Sequence, residues 1–309
     1  MKQFSLCFGK VKKDCLKFIK SQETKADKFK NKEKMIKSFL IPLCFWISKK
    51  VNKKRPYFVG LAGGQGSGKT TISSLIRIIL TKYFKLNVFR ISIDDFYKTR
   101  KERINLSKRI HPILLTRGVP GTHDINMMLN FFRKSKSKKF KRLKLPTFNK
   151  AIDDRFNKKK WYDLKKRPDV IIFEGWCVGA KSEKNTTLKK TINSMEKSKD
   201  QKQIWRKYVN QQLKSKYKNL YSQLHCLIYL RAKNFSLLQK WRLKQERKLW
   251  IKSKLKSNLK IMSKGDVINF MQTYQRITQN MFKYMPKYAS IILNLNTNHQ
   301  IKTAVYRQK

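Results

Sequence analysis

Eight consecutive residues, Gly63-Gly64-Gln65-Gly66-Ser67-Gly68-Lys69-Thr70, satisfy the spacing G-x-x-x-x-G-K-[ST]. Glycines at these positions let successive backbone N–H groups turn into one concavity, a cradle for phosphate oxygens, and a helix opening directly after it adds positive potential. In such a loop Lys69 reaches the β/γ-phosphates and the Thr70 hydroxyl ligates Mg²⁺. Gly63 to Thr70, with Thr71 behind them, therefore form the expected nucleotide-binding set, and ATP and Mg²⁺ are the implied cofactors. A glycine-rich turn that binds nothing is the alternative, and the strand before the loop and the helical pattern after it argue against that.

Carboxylates narrow the chemistry. Ser92-Ile93-Asp94-Asp95-Phe96-Tyr97 follows an apolar run and puts two acids where a parallel strand ends, the edge at which open α/β sheets bind ligands. A carboxylate there can orient or deprotonate a hydroxyl for in-line attack on a γ-phosphate. Asp95 has the competing reading of a helix cap. Glu174 ends another apolar run, Val170-Ile171-Ile172-Phe173, in the manner of an acid holding Mg²⁺ directly or through water.

These groups need a scaffold that brings strand ends together. Five short runs read as strands buried on both faces: Tyr57–Ala62, Asn87–Ile93, Asp169–Glu174, His225–Leu230 and Ser290–Leu295. Helix-period segments separate them, notably Lys69–Phe84, Phe235–Leu255 and Gly265–Tyr284. Alternating strands and helices predict βαβ units with right-handed crossovers. The expected fold is α/β, a three-layer P-loop type with a five-stranded parallel sheet, a helical lid and a helical N-terminal extension. Residues 1–35 read as a basic extension, helical or partly disordered, and 36–309 as a single domain; residues 36–50 read as an amphipathic helix packing Leu40, Leu43, Phe45 and Trp46. Residues Arg133–Lys144 are basic at eight of twelve positions and read as a solvated helix end or loop.

The chain has 75 Lys+Arg against 18 Asp+Glu in 309 residues, a formal net charge of +57, yet 40% of it is hydrophobic. That apolar share excludes a disordered polycation. The charge invites a nucleic-acid reading. Against it, the lysines are spread over the whole chain, and the enriched Lys, Asn, Ile, Phe and Tyr share A/T-rich codons, so the charge reads as compositional drift on exposed positions. Cys7, Cys15, Cys44, Cys177 and Cys226 are too scattered for a disulfide framework or zinc site and fit a reducing compartment. The apolar stretch Phe39–Ser48 is half the length of a membrane span. The expectation is a soluble cytoplasmic protein with no membrane or specific nucleic-acid partner.

Further motifs carry a family resemblance. Arg117-Gly118-Val119-Pro120-Gly121-Thr122-His123-Asp124 and Leu145-Pro146-Thr147-Phe148-Asn149-Lys150-Ala151-Ile152-Asp153-Asp154-Arg155 resemble the R-G-x-P-G-T-H-D and L-P-x-F/Y-D-K-S/A-x-x-D-R segments of the glycerate kinase family of plants, fungi and many bacteria, related to uridine kinase, pantothenate kinase and phosphoribulokinase. Trp205-Arg206-Lys207-Tyr208-Val209-Asn210, Trp241-Arg242-Leu243-Lys244-Gln245-Glu246 and Tyr274-Gln275-Arg276-Ile277-Thr278 also match, while Asn149 stands where the family usually carries Asp. The resemblance implies transfer of the ATP γ-phosphate to the 3-hydroxyl of D-glycerate, with Asp94 as base and Lys69 and Arg242 as catalytic cations, Arg242 carried on a lid helix within Arg231–Lys248. Thr70 and Glu174 would flank Mg²⁺. Arg117, His123, Lys150 and Arg155 would grip the substrate carboxylate, Asp124 would hold a substrate hydroxyl or orient His123, and Asp95 would also belong to the substrate site. Another acceptor (uridine, pantothenate or a sugar acid) and, more remotely, a nucleic-acid-binding relic remain alternatives.

Overall fold

In the computed structural model, the structure describes residues 2–24, 28–52, 54–253 and 262–307, and for 248–253 the backbone alone. Helix α1 (Lys2–Gln22) is followed by α2 (Lys32–Met35), a π-turn over 36–40 and α3 (Ile41–Ser48). Strand β1 (Tyr57–Gly63) runs through the glycine-rich loop into α4 (Lys69–Lys82), and β2 (Val88–Ser92) into a 3-10 turn, α5 (Arg100–Arg109) and α6 (Ile125–Ser135). A small excursion follows, in which β3 (Leu143–Leu145) pairs with β6 (Tyr162–Leu164) and encloses the pair β4 (Phe148–Asn149) and β5 (Asp154–Arg155). Strand β7 (Val170–Gly175) returns to the main sheet, and α7 (Ser194–Lys199), α8 (Ile204–Gln212) and α9 (Lys218–Tyr221) lead to β8 (Cys226–Arg231). Helices α10 (Phe235–Ser253) and α11 (Lys264–Tyr284) precede β9 (Ile291–Leu295) and β10 (Ile301–Tyr306). Residues 254 and 255 of the expected Phe235–Leu255 helix, and 1 and 25–27 of the N-terminal extension, lie outside the described residues.

The main sheet has the order β10-β9-β8-β1-β7-β2. All five expected strands are present within one residue at each end, and all five are parallel. The sheet is larger than the five-stranded one expected, because β10 adds a sixth strand antiparallel to β9. Its sequence hid it. Of IKTAVY only Ile301 is buried, so this edge strand lacks the continuous apolar run that marks the others.

Alternation along β1 builds both layers. Val59 and Leu61 face a cluster formed with α1, α3, α4 and α10, whereas Phe58 and Ala62 face one formed with α6, α8 and α11. Helix α1 joins the first cluster through a stripe at four-residue spacing, Cys7, Val11, Cys15 and Ile19, all fully buried. The apolar stretch around Pro42 is α3, which buries Ile41, Leu43, Cys44 and Ile47 and leaves Phe45 and Trp46 half-buried. Each large apolar side chain so enclosed contributes about 1.5–3 kcal/mol. The basic run from Arg133 forms the end of α6 and the loop to β3. All five cysteines are buried and none is in a disulfide, and burial pushes the Cys7 thiol up to about 11 and Cys15 to about 12. No described helix is long and apolar enough to cross a membrane.

Candidate functional site

Parallel register assembles the site. Ala62 lies beside Gly175 and Ser92 beside Glu174, so β1, β7 and β2 end together, and the loop, Glu174 and the Asp94-Asp95 turn emerge at one sheet edge. In the loop Gly66 has φ +74°, and a Cβ there would come within 2.9 Å of the Trp241 side chain and 3.0 Å of its backbone on α10. The Ser67 hydroxyl is buried without a partner among the described residues. Lys69 Nζ donates to the Gly63 and Gly64 carbonyls, at 2.9 Å each. Burial pulls the Lys69 pKa down, opposed by the charges of Glu174 and Asp94. A buried hydroxyl without a described partner and a lysine ammonium beside the glycine-rich turn suit phosphate oxygens.

Glu174 is 4% exposed and saturated with donors. Thr70 Oγ1 donates to Oε1 at 3.2 Å, Ser73 Oγ to Oε2 at 2.9 Å, and Arg90 Nη1 to Oε1 at 3.1 Å. Among the described residues no three His, Cys, Asp or Glu gather into a metal cluster. Mg²⁺ does not require one, since it takes one or two protein oxygens and completes its shell with phosphates and water. The adjacent Thr70 hydroxyl and Glu174 carboxylate fit that donor set.

Asp94 sits in the 3-10 turn after β2. Lys150 Nζ, reaching across from the β4–β5 turn, donates to Oδ2 at 2.8 Å, and Tyr97 Oη donates to Oδ1 at 2.9 Å. Burial would raise the pKa of Asp94, but the charge and hydrogen bond of Lys150 outweigh it and hold the carboxyl at about 2. Asp95 is different. Its Oδ2 accepts from Ser92 N in a capping box, and burial pushes it up to about 6. Ser92 is the N-cap of this turn, and Asp95, expected as a possible cap itself, is the third residue that closes the capping box.

The motif Arg117–Asp124 is a rigid loop. Gly118 has φ +137°, and a Cβ there would lie 1.9 Å from Tyr274 Oη; Trp176 Nε1 donates to the Gly118 carbonyl at 2.8 Å, and Thr122 Oγ1 accepts from Gly118 N at 3.1 Å. Arg117 is ion-paired with Asp153, which also binds Arg103 at 3.0 Å. Arg155 donates to the Tyr97 carbonyl at 2.7 Å and pairs with Asp124 at 3.3 Å, while Asp124 caps α6 by accepting from Met127 N. His123 is 2% exposed and stacks on Tyr97, with ring centroids 4.5 Å apart. Its Nδ1 lies 2.6 Å from Tyr217 Oη, and burial pushes its pKa down to about 3. Of the four residues expected to grip a carboxylate, three cations are already paired with acids. Asn149 Oδ1 accepts from Ala151 N at 3.0 Å, a role an amide oxygen fills as well as a carboxylate.

Helix α10 rests on the phosphate loop. Leu238 packs against Gly64, and Trp241, whose Nε1 donates to the Thr297 carbonyl, packs against Gly66. Arg242 pairs with Glu246 one turn on, as the i,i+4 spacing suggests, and lies over the Phe270 ring. Sequence reasoning missed Arg90, Ser73, Tyr97, Arg103 and Asp153 as partners of site residues. Tyr97 was detectable from its i+3 spacing to Asp94, but Arg90 and Arg103 were hidden among many basic residues. The later motifs carry scaffolding: Arg276 binds both oxygens of buried Glu196, at 2.7 and 2.6 Å, and Arg206 binds buried Asp200 at 2.9 Å.

No family profile matches the chain. The uncharacterized kinase mug58 of Schizosaccharomyces pombe is 31% identical over 231 residues, which span 71% of this chain and 79% of that protein. The chloroplastic D-glycerate 3-kinase of Arabidopsis thaliana is 26% identical over 199 residues, 62% of this chain and 41% of the plant protein. Among solved structures, the D-glycerate 3-kinase from Cryptococcus neoformans has a TM-score of 0.70 at 23% identity, covers 87% of this chain and 97% of its own, and so shares the fold. The breadth of the mug58 match, on a chain whose loop, Asp94 and Glu174 converge at one sheet edge, establishes membership in the P-loop glycerate kinase family.

Proposed function

We propose that the chain transfers the γ-phosphate of ATP to the 3-hydroxyl of D-glycerate, giving 3-phosphoglycerate. That it is a P-loop kinase follows from its relatives; the acceptor is the proposal, supported by the two D-glycerate 3-kinases it resembles in sequence and in fold. The observation that carries the chemistry is Asp94, a carboxylate held ionised by Lys150 at the same edge as the phosphate loop. With its pKa at about 2 it is anionic at any physiological pH and accepts a hydrogen bond from the acceptor hydroxyl, orienting the oxygen for in-line attack. A strong base is not needed, because the proton becomes acidic as the oxygen–phosphorus bond forms and the loose transition state asks mainly for positioning and charge stabilisation.

Lys69 leaves the loop carbonyls for the β/γ-phosphate oxygens, and Ser67 completes the cradle. Thr70 and Glu174 would hold Mg²⁺, which when bound would supply neutralising charge to the phosphates. Arg242, on the helix resting over the loop, adds a cation and helps exclude water, which would otherwise compete as acceptor. The test is a coupled ADP-release screen over D-glycerate, uridine, pantothenate and sugar acids. Turnover with D-glycerate and formation of 3-phosphoglycerate are expected, and phosphorylation of uridine or pantothenate in its place would overturn the assignment.

A further inference from the structure

The hydrogen bonds around His123 define which of its nitrogens carries the proton. Gly121 N donates to Tyr217 Oη at 3.0 Å, so the hydroxyl is already an acceptor there and has its own proton to give. The described acceptor in reach of that proton is His123 Nδ1, 2.6 Å away. Nδ1 therefore accepts, and Nε2 carries the hydrogen. That N–H is buried without a partner among the described residues. Burial keeps the ring neutral, so it acts as a dipolar donor and not as a cation.

The ring is held too firmly to turn away. It stacks on Tyr97, whose hydroxyl grips Asp94, and the backbones of Tyr97 and His123 form an antiparallel bridge. The contacts running from the His123 ring to Tyr97 and from the Tyr97 hydroxyl to Asp94 place the two in one site. A buried, unpaired donor beside the phosphate-accepting centre is costly unless a ligand satisfies it.

We infer that His123 is fixed as the Nε2–H tautomer and is a neutral specificity-determining donor to a carboxylate oxygen of the acceptor substrate. This rests on the proposed hydroxy-acid kinase reading and deepens it. The reacting hydroxyl is a poor candidate for this donor, since a hydrogen bond to its lone pair would blunt the nucleophile that Asp94 orients. A carboxylate oxygen has lone pairs to spare. The arrangement also discriminates: an acceptor lacking that oxygen leaves the His123 N–H unpaired, which selects against it more strongly than loss of an apolar contact would.

Long-range ¹H–¹⁵N spectra of the ¹⁵N-histidine-labelled full chain test this, with the His123 signals identified by their loss in His123→Gln. The expected result is an Nε2–H tautomer that does not titrate between about pH 5.5 and 8.5, and an Nε2 shift on adding D-glycerate with a non-hydrolysable ATP analogue. In kinetics, His123→Phe keeps the stack on Tyr97 but loses the donor. It is expected to raise KM for D-glycerate by about ten- to a hundredfold with KM for ATP unchanged, the scale of one hydrogen bond to a charged group, and His123→Gln is expected to recover part of the loss. An Nδ1–H tautomer, or an Nε2 signal indifferent to an acceptor that the enzyme does phosphorylate, overturns the inference. If the screen finds a different acceptor, the same spectra are recorded with it; the tautomer of the free protein is tested either way, so failure of the glycerate assignment and failure of the His123 assignment are read separately.

Discussion

Two buried charge clusters in this molecule obey opposite rules. Around the segment 181–200, Arg276 spends its donors on both oxygens of Glu196, on Glu183 at 3.4 Å and on the Lys190 carbonyl at 2.7 Å, while Arg206 binds Asp200 and the Leu188 carbonyl. The buried charges there, Glu196, Asp200, Arg206 and Arg276, are all matched, and the described exception is a neutral group, the Trp205 indole N–H. At the sheet edge polar groups are left partly unspent: Ser67 and His123 keep buried polar atoms without described partners, and Lys69 donates to the loop carbonyls of Gly63 and Gly64. Saturation is what a scaffold needs, because an uncompensated buried charge is expensive. Unspent donors are what a ligand site needs, because they are satisfied on binding.

The comparison breaks most readily at its scaffolding half. Arg276→Ala strands Glu196 in the interior and is expected to cost about 3–5 kcal/mol in chemical denaturation, with near-normal KM values in the fraction that remains folded. Lost turnover at unchanged stability would move that cluster into the chemistry. Asp94→Asn and Lys69→Ala are expected to behave in the opposite way, lowering kcat by at least about a hundredfold with little change in the unfolding midpoint. Wild-type kcat in Asp94→Asn would remove it from the mechanism.

Titration sharpens the contrast. The Asp94 pKa is depressed, so its contribution to stability is present above the ordinary carboxylate range near 4 and is lost only as pH falls towards 2. Lys150→Met removes the largest influence opposing burial and leaves the weaker Tyr97 hydrogen bond, and the acid limb of the kcat/KM profile is expected to move to higher pH. Asp95 runs the other way: its pKa is raised to about 6, so folding loses stability as pH climbs from about 4 to 6. Asp95→Asn keeps the capping oxygen and is expected to flatten that part of the stability profile. The smallest effect belongs to Asn149→Asp, whose side chain need only accept from Ala151 N; kcat is expected to stay within about twofold and stability within about 0.5 kcal/mol.

Much of the fold was legible because four of its five parallel strands, β1, β7, β8 and β9, are mostly buried on both faces and so write nearly unbroken apolar runs, while β2, at the sheet edge, is half-buried and still keeps Val88, Phe89 and Ile91. Edge strand β10, covered on one side, writes none. The phosphate loop was legible because its geometry demands particular residue types in order. Arg103 was not: it is fully buried, pairs with Asp153 and donates to the Lys98 and Leu115 carbonyls, yet looks like any other arginine in a chain of net charge +57.

The sequence by itself determined the phosphate cradle, the strand-end acids and the family, since each depends on residue type at fixed local spacing. Which of the neighbouring acids is held ionised and which closes a capping box was decided by tertiary structure alone. Asp94 and Asp95 are neighbours of identical type, yet one meets Lys150 from another hairpin and stays ionised to about pH 2, while the other turns to the Ser92 backbone and is raised to about 6. A carboxylate's proton affinity is set by the charges, donors and burial around it, and most of those partners are distant in sequence.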